Sequence, residues 1–225
     1  MTCQGWANCS SSRRRRTYLD VVAEVVIGTT NAAKARQCEL ALAGSGVATT
    51  RLTDLLEVVP AIAEDARDAG ANAAKKALGY AKLVKRPVVA LDYALLFEGV
   101  SDDEQPGVNV RRIPGVTGRP GDEDVLDYYA ALFRQYGGSV RGRWLSGVAA
   151  ATPGGRLAQE SAEVSRVFVS DACATRVRGH PLASLQLVGD RYVAELGEAE
   201  EAVLMVETLR APLLAVVNAV LAEEG

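Results

Sequence analysis

The order of apolar and polar residues along the chain predicts strands and helices in alternation. Two apolar runs rich in β-branched residues predict buried strands, one over residues 21–29 (VVAEVVIGT) and one over 87–91 (PVVAL), which Asp92 ends. Strong helix formers follow the first run at 32–43 and precede the second at 68–84. An alternation of this kind is typical of an α/β protein.

The remaining segments extend this pattern. They predict, in chain order, a weakly alternating strand over 47–53, a helix over 122–136, strands over 144–151 and 162–169, and a last helix over 199–221. Turn residues at 153–155 (PGG) indicate a hairpin between the two later strands, and Pro212 predicts an interruption or kink in the last helix. Residues 99–121, rich in glycine and proline, predict a long irregular loop of the kind that often carries function. The predicted fold class is therefore α/β with a mixed β-sheet.

The chain of 225 residues has a length that favours one domain, and its first residues differ in composition from the rest. Residues 1–20 are polar and contain the arginine run 13–16, which favours a flexible N-terminal extension ahead of a single domain over 21–225. A signal peptide would need an uninterrupted apolar stretch after the arginines, and Asp20 and Glu24 break it. No segment approaches the ~18 apolar residues of a membrane helix, so we expect no membrane partner.

Charge and cysteine usage narrow the possible partners and the compartment. Lys and Arg number 25 against 28 Asp and Glu, and the formal net charge of −3 gives no overall positive field for a nucleic acid. A small anionic ligand stays possible, because it needs only a few well-placed cations. The four cysteines form no CxxC pair, and His180 is the only histidine, which disfavours a zinc site. We expect reduced cysteines in a cytoplasmic protein at Cys3, Cys9, Cys38 and Cys173.

The first group of residues with chemical potential is Thr29, Asn31 and Lys34, where the first strand turns into a helix. Unpaired backbone N–H groups at a helix N-terminus, together with the positive end of the helix dipole, form a site for an anion. Thr29 and Asn31 can add side-chain donors, and Lys34 can bring a full positive charge. The alternative is that Asn31 only caps the helix and that Lys34 is solvated.

The second group is Glu64, Asn72, Lys76 and Asp92. Asn72 and Lys76 are four residues apart and share one helix face, while Asp92 follows an apolar run at the strand end where open α/β sheets place their ligands. Two carboxylates with lysines match a magnesium–phosphate complex, because Mg²⁺ takes hard oxygen ligands and phosphates attract cations. The alternative is that Glu64 is one of several loop acids and that Asp92 caps a turn.

Taken in register, these motifs resemble one known family. The matching positions are TxNxxK at 29–34, Glu64 eight residues before Asn72-Ala73, Lys76-Ala77, Pro87, Asp92, Pro106-Gly107-Val108 and Arg112. This pattern over residues 25–115 is similar to that of the inosine triphosphate pyrophosphatase family, whose members hydrolyse non-canonical purine nucleoside triphosphates to monophosphate and pyrophosphate. The resemblance implies an elongated mixed β-sheet with helices on both sides, two lobes flanking a nucleotide cleft, dependence on Mg²⁺, and a homodimer.

The resemblance also implies a role for each matching residue. It places the substrate-binding side chains at Thr29, Asn31, Lys34, Arg112 and Arg210. The catalytic residues would be Asp92, which orients the attacking water, and Lys76, which contacts the phosphates. Glu64 and Asp92 would hold the magnesium ion.

The chain also departs from the family pattern. Leu91 replaces the first acid of the Asp-Asp-Ser-Gly-Leu motif and Ala71 replaces the Glu before Asn72, so a ligand role could shift to Asp65 or Asp68. In the base-binding half, apolar or small residues replace aromatic and polar ones at Pro181, Leu182, Ala183, Leu185, Leu204 and Leu209. An apolar pocket separates similar shapes only weakly. We therefore expect little or no preference for ITP over ATP or GTP, or else a substrate with an unusual base.

Two functions stay open at this point. The first is a nucleoside triphosphate pyrophosphatase with altered base specificity, which the retained Glu64, Lys76 and Asp92 favour. The second is a catalytically inactive nucleotide-binding or dimerisation protein of the same fold, which the changes at Leu91 and Ala71 favour.

Overall fold

The computed structural model describes residues 23–222, which contain one seven-stranded β-sheet flanked by helices. The strands are β1 (Ala23–Ile27), β2 (Val47–Arg51), β3 (Val88–Phe97), β4 (Ser139–Ala151), β5 (Leu157–Val169), β6 (Gln186–Val188) and β7 (Arg191–Tyr192). The helices are α1 (Ala32–Leu42), α2 (Leu52–Leu55), α3 (Ala69–Val84), α4 (Asp122–Gln135) and α5 (Glu198–Leu221), with 3-10 turns at Asp102–Glu104, Pro181–Ser184 and Val193–Glu195. The predicted extension over 1–20 lies outside the described residues, and the single two-lobed domain over 21–225 stays a prediction.

The sheet has the strand order β2-β1-β3-β4-β5-β6-β7 and combines both pairing directions. β1 pairs in parallel with β2 and β3, and each later pair is antiparallel. A parallel pair needs a crossover connection, which α1 supplies between β1 and β2, whereas the turn at 153–155 joins β4 directly to β5. The predicted α/β class with a mixed sheet is therefore confirmed, and so is the hairpin.

Helices cover both faces of the sheet because successive side chains of a strand point to opposite faces. On one face, Val89 and Leu91 of β3 pack in a core with α1 and α5. On the other face, Val88 and Ala90 pack with α3. Farther along the first face, Leu95 packs with α4 in a second core. Two cores therefore share one face of the sheet, and the surface between them forms a cleft.

β3 is longer than predicted, and Asp92 lies inside it rather than at its end. The prediction was wrong because the ladder with β4 continues past Asp92 to the end of β3. β1 ends at Ile27, whose partner on β3 is Val89, and the next contact on that side is the bridge between Leu95 and Gly107. Asp92 therefore lies in the gap beyond the end of β1, next to the turn into α1.

α5 is one helix that runs through Pro212, so the predicted interruption is wrong. Its apolar side, which includes Leu209, Leu213 and Val217, packs in the core with α1. By length and composition alone, α5 is also apolar enough to cross a membrane, contrary to the expectation from the sequence. A single helix of this kind is a weak indication of a membrane span, because core helices meet the same criteria.

Candidate nucleotide-binding cleft

A cleft with a volume of about 450 Å³ opens between the two cores. It extends from the turn between β1 and α1 across β3 and β4 to β5, and α5 and the loop 99–121 form its walls. Its cationic side chains are Lys34, Lys76, Arg111, Arg112, Arg119 and Arg166, and its acidic side chains are Glu64, Asp92 and Glu201. The cleft is therefore locally positive in a chain whose net charge is −3, which favours an anionic ligand.

Asp92 and two lysines form a buried charged group at one end of the cleft. Asp92 is 4% exposed, and its Oδ1 accepts hydrogen bonds from Lys34 Nζ at 2.8 Å and from Lys76 Nζ at 3.1 Å. Burial alone raises the pKa of Asp92, but the charges of the two lysines outweigh this effect and hold the pKa below its ordinary value. Asp92 is therefore ionised at neutral pH.

Glu64 reaches the same group because Asn72 fixes the loop that carries it. Asn72, on α3, is 1% exposed, and its side chain accepts from the N–H of Ala66 at 3.0 Å and donates to the carbonyl of Ala66 at 3.3 Å. Glu64 Oε2 lies 2.7 Å from Lys76 Nζ. On one face of α3, therefore, Asn72 orders the loop and Lys76 binds the carboxylate that the loop presents.

The turn from β1 into α1 is closed by its own side chains. Asn31 Oδ1 accepts from the N–H groups of Ala33 at 2.9 Å and Lys34 at 3.3 Å. Thr29 Oγ1 accepts from the N–H of Asn31 at 3.1 Å. Asn31 is thus the N-cap of α1, and the expectation that these N–H groups are unpaired is wrong. The turn still offers a ligand the Lys34 ammonium group, which lies 5.2 Å from the centre of the Tyr93 ring.

The two predicted arginines lie in different places. Arg112 is exposed on the loop 99–121 and lines the cleft together with Thr29, Asn31 and the Asp92 cluster. Arg210 lies on α5, where its Nη2 donates to the carbonyl of Ala43 at 3.0 Å, just after the end of α1. The structure therefore brings Arg112 to the site and directs Arg210 away from it.

Two carboxylates, Glu64 and Asp92, are available to a metal ion at this end of the cleft. Asp65 and Asp68, the predicted replacements, have other partners: Asp65 pairs with Lys75, and Asp68 caps α3. Over residues 23–222, no three His, Cys, Asp or Glu side chains cluster in a way that could hold a metal. Mg²⁺ is commonly bound by one or two carboxylates plus substrate phosphates and water, so the pair fits a magnesium ion that binds together with a nucleotide.

The cleft is lined by aromatic and polar side chains as well as by the predicted apolar ones. All six predicted apolar residues are buried. Four of them also line the cleft, namely Pro181, Leu182, Leu204 and Leu209, whereas Ala183 and Leu185 do not. Two aromatic rings line the cleft, Tyr93 of β3 beside the Asp92 cluster and Trp144 of β4, with centroids 5.9 Å apart in an edge-to-face arrangement. Arg166 and Gln186 add polar groups. These groups lie at positions other than the six predicted apolar ones, so the expected change in base specificity stays a prediction.

A hydrogen-bonded group ties the loop 99–121 to the opposite wall of the cleft. Asp122, the first residue of α4, pairs with Arg111 Nη2 at 2.7 Å and accepts from the N–H of Gly179 at 2.8 Å. Burial raises the pKa of Asp122, but the hydrogen bonds from Gly179 and Arg111 hold it below its ordinary value. Arg111 Nε and Nη1 are buried without a hydrogen-bond partner in the described part of the chain, so both stay available to a ligand.

Known proteins resemble this chain in sequence and in structure. A dITP/XTP pyrophosphatase from Geobacillus kaustophilus (strain HTA426) is 29% identical over 177 residues, which are 79% of this chain and 72% of that protein. A HAM1 protein from Coxiella burnetii has a TM-score of 0.65 at 19% identity, over 88% of this chain and 98% of that chain. The Staphylococcus aureus Ham1 protein has a TM-score of 0.58 at 18% identity, over 79% of this chain and 88% of that chain. The structural matches show that the fold is shared.

The family is shown by the sequence itself. The sequence model of the Ham1 family matches residues 25–164, which is more than half of the chain. The matched span contains the carboxylates and lysines of the Asp92 cluster and both aromatic residues of the cleft, and the match confirms the family resemblance that the motifs predict. The chain therefore belongs to the Ham1 family.

Proposed function

We propose that the protein is a nucleoside triphosphate pyrophosphatase that releases pyrophosphate and a nucleoside monophosphate, with altered base specificity. The observation that carries the proposal is the buried, ionised Asp92 held between Lys34 and Lys76 at one end of a cationic cleft. Membership of the Ham1 family and the similarity to a dITP/XTP pyrophosphatase support it.

The described side chains divide the chemistry between them. Lys34 and Lys76 donate hydrogen bonds to phosphate oxygens and stabilise the charge that develops on the leaving pyrophosphate. Asp92 accepts a hydrogen bond from a water molecule and orients it toward the α-phosphorus. Mg²⁺, held by Glu64 and Asp92, would neutralise phosphate charge when bound.

The proposal includes a cytoplasmic location and a homodimer, without a nucleic acid or membrane partner. Of the four cysteines, Cys38 and Cys173 lie in the described residues, and both are free and buried, which supports a reducing compartment. The net charge of −3 supports the exclusion of a nucleic acid, since the chain has no overall positive field to hold a polyanion.

A catalytically inactive nucleotide-binding protein is the second candidate, and two positions favour it. Leu91, at the position of the first acid of the family motif, is 1% exposed in the core, and Ala71, at the position of the family Glu, lies in the first turn of α3 and carries no charge. Such a protein would bind the triphosphate in the same cleft and release no product.

The experiment that separates the two candidates measures products with a panel of nucleoside triphosphates and Mg²⁺. We expect wild-type protein to release pyrophosphate rather than orthophosphate, and Asp92→Asn to abolish turnover, because an amide does not supply the negative charge of the carboxylate. Asp65→Asn is the matched control, since Asp65 is exposed and pairs with Lys75 outside the cleft.

Four outcomes would contradict the proposal or a part of it. Nucleotide binding by wild-type protein without any product would favour the inactive protein. Full activity in a folded Asp92→Asn variant would remove Asp92 from the reaction, and loss of activity in Asp65→Asn would transfer the role to Asp65. Omission of Mg²⁺ with no change in rate would exclude the metal from the mechanism.

A further inference from the structure

Ser146 lies in the floor of the cleft beside the Asp92 cluster. It precedes Gly147 on β4, and Gly147 is the ladder partner of Asp92. With about 3.4 Å per residue and about 4.8 Å between strands, the backbones of Ser146 and Asp92 are about 6 Å apart. The ladder partner of Ser146 itself is Tyr93, whose ring contacts the Lys34 ammonium group. Ser146 is therefore adjacent to the proposed phosphate site.

The Ser146 side chain is buried, and the side chains nearest to it on the sheet include apolar ones. Ser146 is 5% exposed and lines the cleft. On the same face of the sheet, its neighbours along β4 are Trp144 and Val148, and its ladder partner on β5 is Ala162. Val148 and Ala162 are apolar, so neither can pair with the Ser146 hydroxyl group.

The polar groups of the two aromatic neighbours are already engaged with other residues. The Tyr93 hydroxyl donates to Gln37 Oε1 at 2.8 Å, and Trp144 Nε1 donates to Gln186 Oε1 at 2.7 Å. The Ser146 hydroxyl has no hydrogen-bond partner within the portion of the chain that the structure describes. Native proteins seldom keep a buried polar group without a partner unless a ligand or an ordered water completes it.

The position of Ser146 determines which part of a nucleotide it can meet. Under the proposed function, Asp92 orients water toward the α-phosphorus, and the sugar of a nucleotide is joined directly to the α-phosphate. Lys34 lies on α1, which follows β1 on one side of β3, whereas Ser146 lies on β4, on the other side of β3. The β- and γ-phosphates therefore extend toward α1, and the sugar lies over β4.

From this arrangement we infer that Ser146 binds a hydroxyl group of the nucleotide sugar and selects substrates that carry this group. The inference rests on the proposed function and specifies the sugar of its substrate. A serine hydroxyl can donate to a sugar hydroxyl or accept from it, and the 2′- and 3′-hydroxyls offer the same chemistry. A nucleotide without the bound hydroxyl would leave the Ser146 side chain buried and unpaired, which weakens its binding.

The test measures equilibrium binding to the full-length protein of ITP, 2′-deoxy-ITP and 3′-deoxy-ITP analogues with a non-hydrolysable α,β bridge, and of inorganic tripolyphosphate as a probe without a nucleoside. The three nucleotides share one base, so base recognition contributes equally to each. We expect wild-type protein to bind at least one deoxy analogue about fivefold more weakly than the ribose analogue, and that analogue identifies the bound hydroxyl. In Ser146→Ala this difference should disappear, with unchanged tripolyphosphate affinity.

Two further variants serve as controls. Ser146→Cys keeps a side chain of similar size but offers only a weak donor and a weak acceptor, so it should also lose most of the discrimination. Ser165→Ala removes a hydroxyl group from an exposed position of β5 that does not line the cleft, and it should keep the discrimination.

Equal wild-type affinity for the three nucleotide analogues would overturn the inference, and so would discrimination that persists in Ser146→Ala. An equal loss of affinity for every probe in Ser146→Ala, tripolyphosphate included, would also overturn it. Sugar discrimination that depends on Ser146, without pyrophosphate release in the product assay, would refute the proposed function and leave the inference standing. Pyrophosphate release without sugar discrimination would do the reverse.

Discussion

At the scale of single residues, the charges around Asp92 depend on one another. Lys34 and Lys76 both donate to the same carboxylate oxygen of Asp92, and Lys76 also pairs with Glu64. A buried carboxylate repels phosphate, so under the proposed function each lysine has two effects on a triphosphate: it donates a hydrogen bond to the ligand, and it neutralises Asp92. Lys34 is the less buried of the two lysines, which makes it the better position for a substitution that leaves the fold intact.

We expect Lys34→Ala to weaken binding of a non-hydrolysable triphosphate analogue by about 1.5–3 kcal/mol, the scale of a hydrogen bond to a charged group. Titration calorimetry measures this difference. Lys75→Ala is the matched control, because Lys75 is an α3 lysine that contacts Asp65 outside the cleft. If Lys34→Ala binds the analogue as tightly as wild type, the ammonium group does not hold the triphosphate.

The sequence predicts the Asp92 end of the cleft better than the part that Trp144 and Arg166 line. Lys34 and Lys76 lie on helices that short patterns predict, near the strand that carries Asp92. Trp144 and Arg166 come together with them only through the antiparallel register of β3, β4 and β5. Because a register shift of one residue turns every side chain to the opposite face, no local pattern could have placed these two residues in the cleft.

At the scale of secondary-structure elements, the site depends on the close approach of α3 to β4. Gly147 lies opposite Asp92 in the ladder, and a Cβ atom on it would overlap the backbone of Ala69 and Gly70 at the start of α3. The absence of a side chain lets α3 pack directly on the sheet at this point. This packing holds Lys76, on the same helix, within hydrogen-bond distance of Asp92.

We expect Gly147→Ala to lower the free energy of unfolding by about 1–3 kcal/mol, because the added methyl group meets backbone that must shift. Urea denaturation measures this change. Gly154→Ala is the control, since the nearest heavy atom to its new Cβ would be Thr152 Oγ1 at 3.8 Å, and its stability should stay close to that of wild type. Equal stability of the two variants would show that α3 adjusts without cost.

Hydrogen bonds from capping side chains explain why the sequence predicts the starts of some helices well. α1 and α3 begin at Asn31 and Asp68, whose side chains accept hydrogen bonds from the first N–H groups of each helix. β3 is different, because its pairing with β4 extends it past Asp92, a residue that would end an isolated apolar run. The end of such a strand is set by its pairing with a strand that is distant in sequence. The local β-propensity of the residues therefore does not predict where the strand ends.

At the scale of the whole molecule, the loop 99–121 is both a wall of the cleft and an ordered surface. The Gln105 side chain holds it to the sheet by accepting from the N–H of Phe97 and donating to its carbonyl, both at 2.7 Å. Farther along the loop, Val116 is 50% exposed. An apolar side chain on an anchored segment is suited to contact with a second copy of the chain.

We expect a homodimer whose interface lies beside the loop 99–121, as the family resemblance implies. Light scattering should give a mass about twice the 23.8 kDa of one chain, since twofold pairing is the commonest form of homo-oligomer. Val116→Asp, which would bury a charge in that interface, should shift the mass toward the monomer as the protein is diluted. Val58→Asp alters an exposed apolar residue in a different connection and should leave the dimer intact. A monomer mass for wild-type protein at high concentration would contradict the dimer, and a dimer that persists in Val116→Asp would move the interface away from this loop.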